Sequence, residues 1–193
     1  MRNANPITLF KKWYLEAEKA KIPAPETMVL ATATRKGIPS ARTVLLKDVS
    51  EQGFVFFTNY ESRKGHELLE NPRAALVFFW DKLQKQVRIE GKVELLSPQE
   101  SDLYFATRAR GSQISAWSSP QSKNISNRTV LKKLVQFFEK KFKKQPIPRP
   151  EFWGGFRIHP EKMEFWTGKE HRLHDRILYV KRAKIWKISR LAP

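Results

Sequence analysis

About eight short segments rich in Val, Phe and Ile, set apart by turn signals and flanked by helical stretches, mark a mainly β (α+β) protein built on a barrel core. Strands and helices do not alternate as they would in a parallel sheet, and no repeat or low-complexity tract breaks the 193 residues. Forty per cent apolar residues, with thirteen Phe and six Trp, supply a packed interior and exclude disorder. The length suits a single domain over 1–193 with helical additions at about 7–21 and 98–145.

Each element has its own signal. Leu9, Phe10, Trp13, Tyr14 and Ala17 recur at helical spacing and predict an amphipathic helix over 7–21. Residues 28–34, a Lys36-Gly37 turn and residues 38–47 predict a β-hairpin. Residues 54–58 and 74–80 predict buried strands; between them Ser62 caps a short helix that stops before Asn71-Pro72. Residues 86–96 predict another strand, after which Ser97-Pro98-Gln99-Glu100 opens a helix with proline at its first position. Val130, Leu134, Phe138 and Phe142 repeat every four residues, so a long helix is expected over 127–144. Its other face is basic, which fits either a helix docked by its apolar stripe or one lying on a membrane surface or nucleic acid. Residues 145–150, with three prolines, form an extended connector, and strands are expected at 155–158, 162–167, 177–180 and 184–189.

Composition narrows the chemistry. The chain has no cysteine, which removes disulfides and thiol catalysis and suits a reducing cytoplasm. Its longest apolar run, 74–80, is too short to span a bilayer, and the N-terminus lacks a secretory pattern, so a soluble intracellular protein is expected. A net charge of +18 suits nucleic acid, a membrane surface or a phosphorylated small molecule equally. No phosphate-binding glycine loop and no Gly-x-Ser-x-Gly elbow occurs, and His171 with His174 lacks further ligands at metal spacing, so no metal is expected.

Four clusters could carry function. His171-Arg172-Leu173-His174-Asp175-Arg176 suits a planar anionic ligand or, more plainly, a solvated turn. Ser62-Arg63-Lys64 places two cations at a helix N-terminus, against the macrodipole, unless an anion binds there. Arg42 and Lys47 flank an apolar strand and share a pocket only if a bulge or the strand end intervenes. Tyr104, Arg108 and Ser112 form either a phosphate clamp or an exposed helix face, with Gly111 as a candidate helix end.

In order and spacing these segments resemble the pyridoxamine 5′-phosphate oxidase family, from about Pro6 to Pro193. The resemblance rests on 42–47, Phe56-Phe57-Thr58-Asn59, Ser62-Arg63-Lys64, Ser112-Gln113-Ile114, Phe152-Trp153-Gly154-Gly155-Phe156-Arg157, 170–176 and the ending Arg190-Leu191-Ala192-Pro193. It implies a split β-barrel homodimer of the FMN-binding type, with flavin mononucleotide (FMN) at the subunit interface. One subunit would offer Arg42, Val44, Leu45, Lys47, Phe57, Thr58, Arg63 and Lys64 to the flavin, with Gln86, Gln121, Ser122, Trp166 and Arg176 completing the site, some from the other subunit. Lys47, Tyr104, Arg108 and Ser112 would hold the substrate phosphate. Arg172 and His174 would border the pyridine ring as the catalytic pair, and Arg176 would stabilise charge on the reduced flavin.

The implied reaction is oxidation of pyridoxamine or pyridoxine 5′-phosphate by O2 to pyridoxal 5′-phosphate, releasing H2O2 and, from the amine, NH3. Two departures stand out: Phe57 where the family often has Tyr, and little sequence before Pro6, where relatives can carry a basic arm over the substrate. The other readings are a non-catalytic flavin-binding split barrel and a basic nucleic-acid-binding protein. The ordered motifs favour neither, so no nucleic acid or membrane partner is expected.

Overall fold

The computed structural model describes residues 5–183 and 185–193. Residues 1–4, and Lys184 at the expected start of the last strand, lie outside the described residues. Among those described the chain forms five α-helices, α1 (Pro6–Lys19), α2 (Arg63–Glu70), α3 (Pro98–Thr107), α4 (Arg110–Ser118) and α5 (Arg128–Lys141). Nine strands join in one antiparallel sheet: β1 (Thr27–Ala33), β2 (Pro39–Leu45), β3 (Asp48–Ser50), β4 (Gly53–Asn59), β5 (Arg73–Trp80), β6 (Lys85–Leu95), β7 (Trp153–Thr167), β8 (Asp175–Arg182) and β9 (Ile185–Leu191). No described helix is long and apolar enough to cross a membrane.

The sheet runs β2-β1-β5-β6-β7-β4-β3 and forks at β7. One edge of β7 pairs with β6 along its length; the other pairs with β4 at residues 153–158 and with β8 at residues 162–167. This fork makes the curled sheet a split barrel. At the fork Gly91 faces Pro160 and Glu90 faces Lys162, so Glu161 is an extra residue, a β-bulge. Proline, which has no N–H to give the ladder, is tolerated at such a bulge.

The bulge also explains why the sequence reads as two strands, at 155–158 and 162–167, where the structure has one. Inward residues before it are even-numbered (Phe156, Ile158, Pro160), and after it odd-numbered (Met163, Phe165). Alternation that changes phase looks like a strand end. Gly91 lies where the bulge brings two backbones together: a Cβ there would sit 1.9 Å from the carbonyl oxygen of His159.

Helix α1 closes one end of the barrel. Asn5 caps it by accepting from Ile7 N at 2.9 Å, and Pro6 starts it. Its Phe10 is fully buried, edge-on to Phe54 (4.9 Å) and Phe78 (5.0 Å). That burial contributes roughly 2–3 kcal/mol. A second cluster (Phe105, Ile114, Phe142, Ile147, Trp153) lies under α3, α4 and α5. Ser97 and Glu100 form a capping box on α3. Three boundaries differ from expectation. The basic helix ends at Lys141, with Phe138 and Phe142 packed on Trp117, each at 5.5 Å. The helical addition at 98–145 is three helices. Gly111 opens α4 rather than ending α3, because Arg108 breaks the chain at φ −71, ψ 144.

Replacing Gly91 with Ala should lower the free energy of unfolding in urea by about 1–3 kcal/mol, the usual cost of forcing a methyl into filled space. Gly111→Ala, in a helix with open space around it, should instead leave stability unchanged or raise it by up to about 1 kcal/mol.

Candidate functional site

A cleft of about 570 Å³ opens between β2, β4, the start of α2 and the α3–α4 break. Strand β2 contributes Arg42 and Val44 from its half-buried face, with Leu45 at its end. Lys47 lies past that end, its backbone N–H on Val55 O at 2.8 Å, so it reaches the cleft that strict alternation would deny it. Phe57 and Thr58 come from β4, and Lys64 from the first turn of α2. Tyr104 ends on the same wall as Arg108 and Ser112 because the chain breaks between α3 and α4. Gln121 follows α4.

Among the described residues four cations line this cleft and no carboxylate does. The Lys64 ammonium donates to Gln121 Oε1 (2.8 Å), Thr58 Oγ1 (3.1 Å) and Ser62 Oγ (3.3 Å), all neutral. Burial, with the Arg42 charge nearby, lowers its pKa to about 8. Burial likewise lowers Arg108, whose guanidinium stacks 4.5 Å from the Trp153 ring and whose Nη1 is buried without a partner. Phe57 fills its place with a ring rather than a hydroxyl, stacked on Tyr104 at 3.8 Å and near-parallel to Trp153 at 5.4 Å. Burial raises the Tyr104 hydroxyl pKa. A cleft lined by four cations and no acid, with a buried orphan donor, is built for an anion, and phosphate fits that donor set.

Ser62 caps α2 as expected, accepting from Gly65 N, and the helix turns so tightly past Tyr60 that a Cβ on Gly65 would meet its carbonyl at 2.1 Å. Arg63 points elsewhere: its Nε donates to Glu67 at 2.8 Å. Ser122 is exposed, in a left-handed turn after Gln121. Glu67 is an acid the sequence reading missed, 4% exposed among Thr32, Ser40, Arg42 and Arg63. Burial pushes its carboxyl up, but hydrogen bonds from Ser40, Thr32 and Arg63, with the Arg63 charge, outweigh that and hold its pKa at about 2. Its signal was a carboxylate four residues after Arg63, on one helix face. Trp153 was also missed as a site residue, although it lay inside a quoted motif.

The remaining candidates form a second group. Gln86, Trp166 and Arg176 are register partners in one row across β6, β7 and β8, continued by Phe79 and Leu191 on either side. Phe79 is 55% exposed, so this row faces outward. Arg176 donates to Glu164 Oε1 (2.8 Å) and to the Ala192 carbonyl (3.0 Å), which ties the C-terminal residues to the row. His174 packs on Trp166 with ring centres 4.7 Å apart and planes inclined by 48°, and accepts from Lys169 N through Nδ1. Arg172 is exposed, and both it and His171 are left-handed, at φ 61 and 53. Trp153 and Trp166 lie near opposite ends of β7, on the order of 40 Å apart along a regular strand. One chain therefore does not bring the two groups together.

Comparison with known families follows the same division. The pyridoxamine 5′-phosphate oxidase model matches residues 15–140, which hold the cations of the cleft. This chain belongs to the pyridoxamine 5′-phosphate oxidase family. As a member of the pyridoxamine 5′-phosphate oxidases it is an oxidoreductase. The pyridoxine 5′-phosphate oxidase C-terminal dimerisation region matches residues 153–193, which carry most of the second group. The pyridoxine/pyridoxamine 5′-phosphate oxidase of Nostoc sp. is 54% identical over 190 residues, 98% of this chain and 89% of its own. That of Coxiella burnetii is 54% identical over 98% of this chain and 96% of its own. PhzG from Burkholderia lata, solved with tetrahydrophenazine-1-carboxylic acid, has a TM-score of 0.94 at 31% identity and covers all of this chain and 94% of its own. A pyridoxamine 5′-phosphate oxidase-related, FMN-binding protein from Nostoc punctiforme has a TM-score of 0.78 at 16% identity, covering 98% of this chain and 99% of its own; this shares the fold.

The buried carboxylate makes stability pH-dependent in a defined direction. Glu67 titrates near 4.5 when unperturbed and at about 2 in the fold, so its contribution is complete above 4.5 and is lost as pH falls from there toward 2. Across that window wild-type unfolding free energy should fall by up to about 3 kcal/mol more than that of Glu67→Gln, as measured by urea titration at each pH.

Proposed function

We propose that this protein is an FMN-dependent oxidase, acting as a homodimer in the cytoplasm, that converts pyridoxamine or pyridoxine 5′-phosphate to pyridoxal 5′-phosphate. The observation that carries the reading is the cleft in which Arg42, Lys47, Lys64 and Arg108 converge, with no acid among its lining residues and only Glu67, behind Arg42, as a nearby counter-charge. FMN, held by these residues, would supply the redox chemistry: two-electron oxidation of the substrate with O2 as the final acceptor, reduced to H2O2.

The chain's own residues bind, orient and neutralise. Arg42, Lys64, Thr58 and Gln121 hold the flavin phosphate side, with Arg63 and Ser122 at its margin. Val44, Leu45 and Phe57 supply apolar wall, and Trp166 and Arg176, from the dimerisation region, serve the flavin from a second subunit together with Gln86 beside them on β6. Lys47, Tyr104, Arg108 and Ser112 take the substrate phosphate; the unpartnered Arg108 Nη1 is the donor waiting for it. Arg172 borders the substrate ring and sets its position, while His174, with Nδ1 accepting from the backbone, presents Nε2–H to the reacting substituent. The PhzG relative is named with a carboxylic acid, so a non-phosphorylated aromatic acid is the competing substrate class. The clamp at Tyr104, Arg108 and Ser112 favours phosphate.

Purified protein should show a flavin spectrum that bleaches when pyridoxamine 5′-phosphate is added without air and returns on aeration. A flavin that never bleaches would leave a non-catalytic binder, and bleaching by non-phosphorylated substrates alone would remove the phosphate assignment. Phosphate contacts change little between ground and transition states, so Arg108→Ala should raise KM about 10–100-fold while kcat changes far less. Arg172→Ala should show the reverse pattern in steady-state kinetics. FMN affinity should be flat between about pH 7, where the phosphate is a dianion, and pH 8, and weaken by up to tenfold per unit above that, because Lys64 must hold its proton to pair with phosphate. Lys64→Arg should extend the plateau to higher pH in a fluorescence titration.

A further inference from the structure

Beneath the cleft, Glu67 takes part in none of the assignments above, yet it is one of two carboxylates buried among the described residues. Around it the protons have one arrangement. An ionised carboxylate only accepts, so the hydroxyls of Thr32 and Ser40, both on Glu67 Oε2, spend their single protons there. Their lone pairs then face Arg42, whose Nη1 donates to Thr32 Oγ1 at 2.6 Å and whose Nη2 donates to Ser40 Oγ. Thr32 and Ser40 are direct partners across the β1–β2 hairpin, with Oγ atoms 3.3 Å apart, so the strand register sets the spacing of the two acceptors. The other carboxylate oxygen accepts from Arg63 Nε.

We propose that Glu67 is a positioning residue for the flavin phosphate: through two hydroxyls it fixes the guanidinium plane of Arg42, and directly it holds Arg63. The assignment rests on the FMN reading above. It also sets the local charge. Arg42, Arg63 and Lys64 against one carboxylate leave two positive charges, the complement of a phosphate monoester dianion. The charge that acts on Lys64 is that of Arg42 from β2; Lys47, Tyr104 and Arg108 line the same cleft, and Glu67 lies three residues further along the helix that carries Lys64. With Glu67 neutral, Arg42 would lose its ion-pair partner while its charge still acts on Lys64.

The test is fluorescence titration of FMN, and of riboflavin, which lacks the phosphate, into wild type, Glu67→Gln and Glu67→Asp between pH 6.5 and 9.5. Glu67→Gln should weaken FMN at least tenfold at pH 7 and move its alkaline limb to lower pH, with riboflavin affinity unchanged. Glu67→Asp should return the limb toward its wild-type position. Ser40→Ala and Thr32→Val, which keep the carboxylate but cut the relay, should each weaken FMN several-fold, and they carry the test if Glu67→Gln does not fold. Equal losses for FMN and riboflavin would reduce Glu67 to a structural ion pair. Unchanged FMN affinity in Glu67→Gln, or in both hydroxyl variants, would overturn the positioning role alone. Wild-type protein that takes up no FMN at any pH would overturn the flavin reading and this role with it.

Discussion

Strand β7 must satisfy three neighbours with one backbone, and the single extra residue at Glu161 is what lets it do so. Before the bulge, one edge of the strand carries β4 and the wall of the cleft; after it, the same edge carries β8 and the row containing Trp166 and Arg176. Because successive residues face opposite sides of a sheet, inserting one residue exchanges the two sides for everything that follows. Without it, Met163 and Phe165 would face outward and Trp166 would enter the core. Gly91 is the local accommodation, since a side chain there would occupy the space of the His159 carbonyl.

Within the cleft two physical effects are opposed. Stacked rings at Phe57, Tyr104 and Trp153 exclude water from one wall and so strengthen every charge beside them. The same dryness penalises Lys64 and Arg108 in their charged forms, which is why both are displaced downward. Ordinary surface salt bridges elsewhere, such as Arg73 with Glu161, have water to share the charge and contribute little. The cleft is lined by four cations and no acid, and the one acid close by, Glu67, lies beneath them, paired with Arg42 and Arg63.

Elements with local punctuation were legible from sequence: Ser62 and Ser97 cap helices where expected, and the Lys36-Gly37 turn closes the first hairpin with Gly37 at φ 81. What failed was phase. The bulge hid the continuity of β7, and the break at Arg108 made Gly111 look like an ending when it is a beginning. For the site, composition and spacing marked the clusters but left each open between a ligand contact and a solvated face. Arg42 and Lys47 illustrate why: their shared cleft depends on β2 ending at Leu45, a tertiary event no pairwise spacing encodes. For Glu67 only the spacing to Arg63 was visible; its partners at Thr32 and Ser40 lie far away in sequence.

The distance along β7 between Trp153 and Trp166 has a consequence of a different kind. On the proposed assignment the two groups meet only across a pair of chains, so the number of complete sites is governed by mass action rather than by the amount of folded protein. Dilution would then empty sites without unfolding anything. A ligand seated between subunits would, by linkage, tighten their association in proportion to its own occupancy. The stability of the assembly and the supply of its cofactor become one equilibrium.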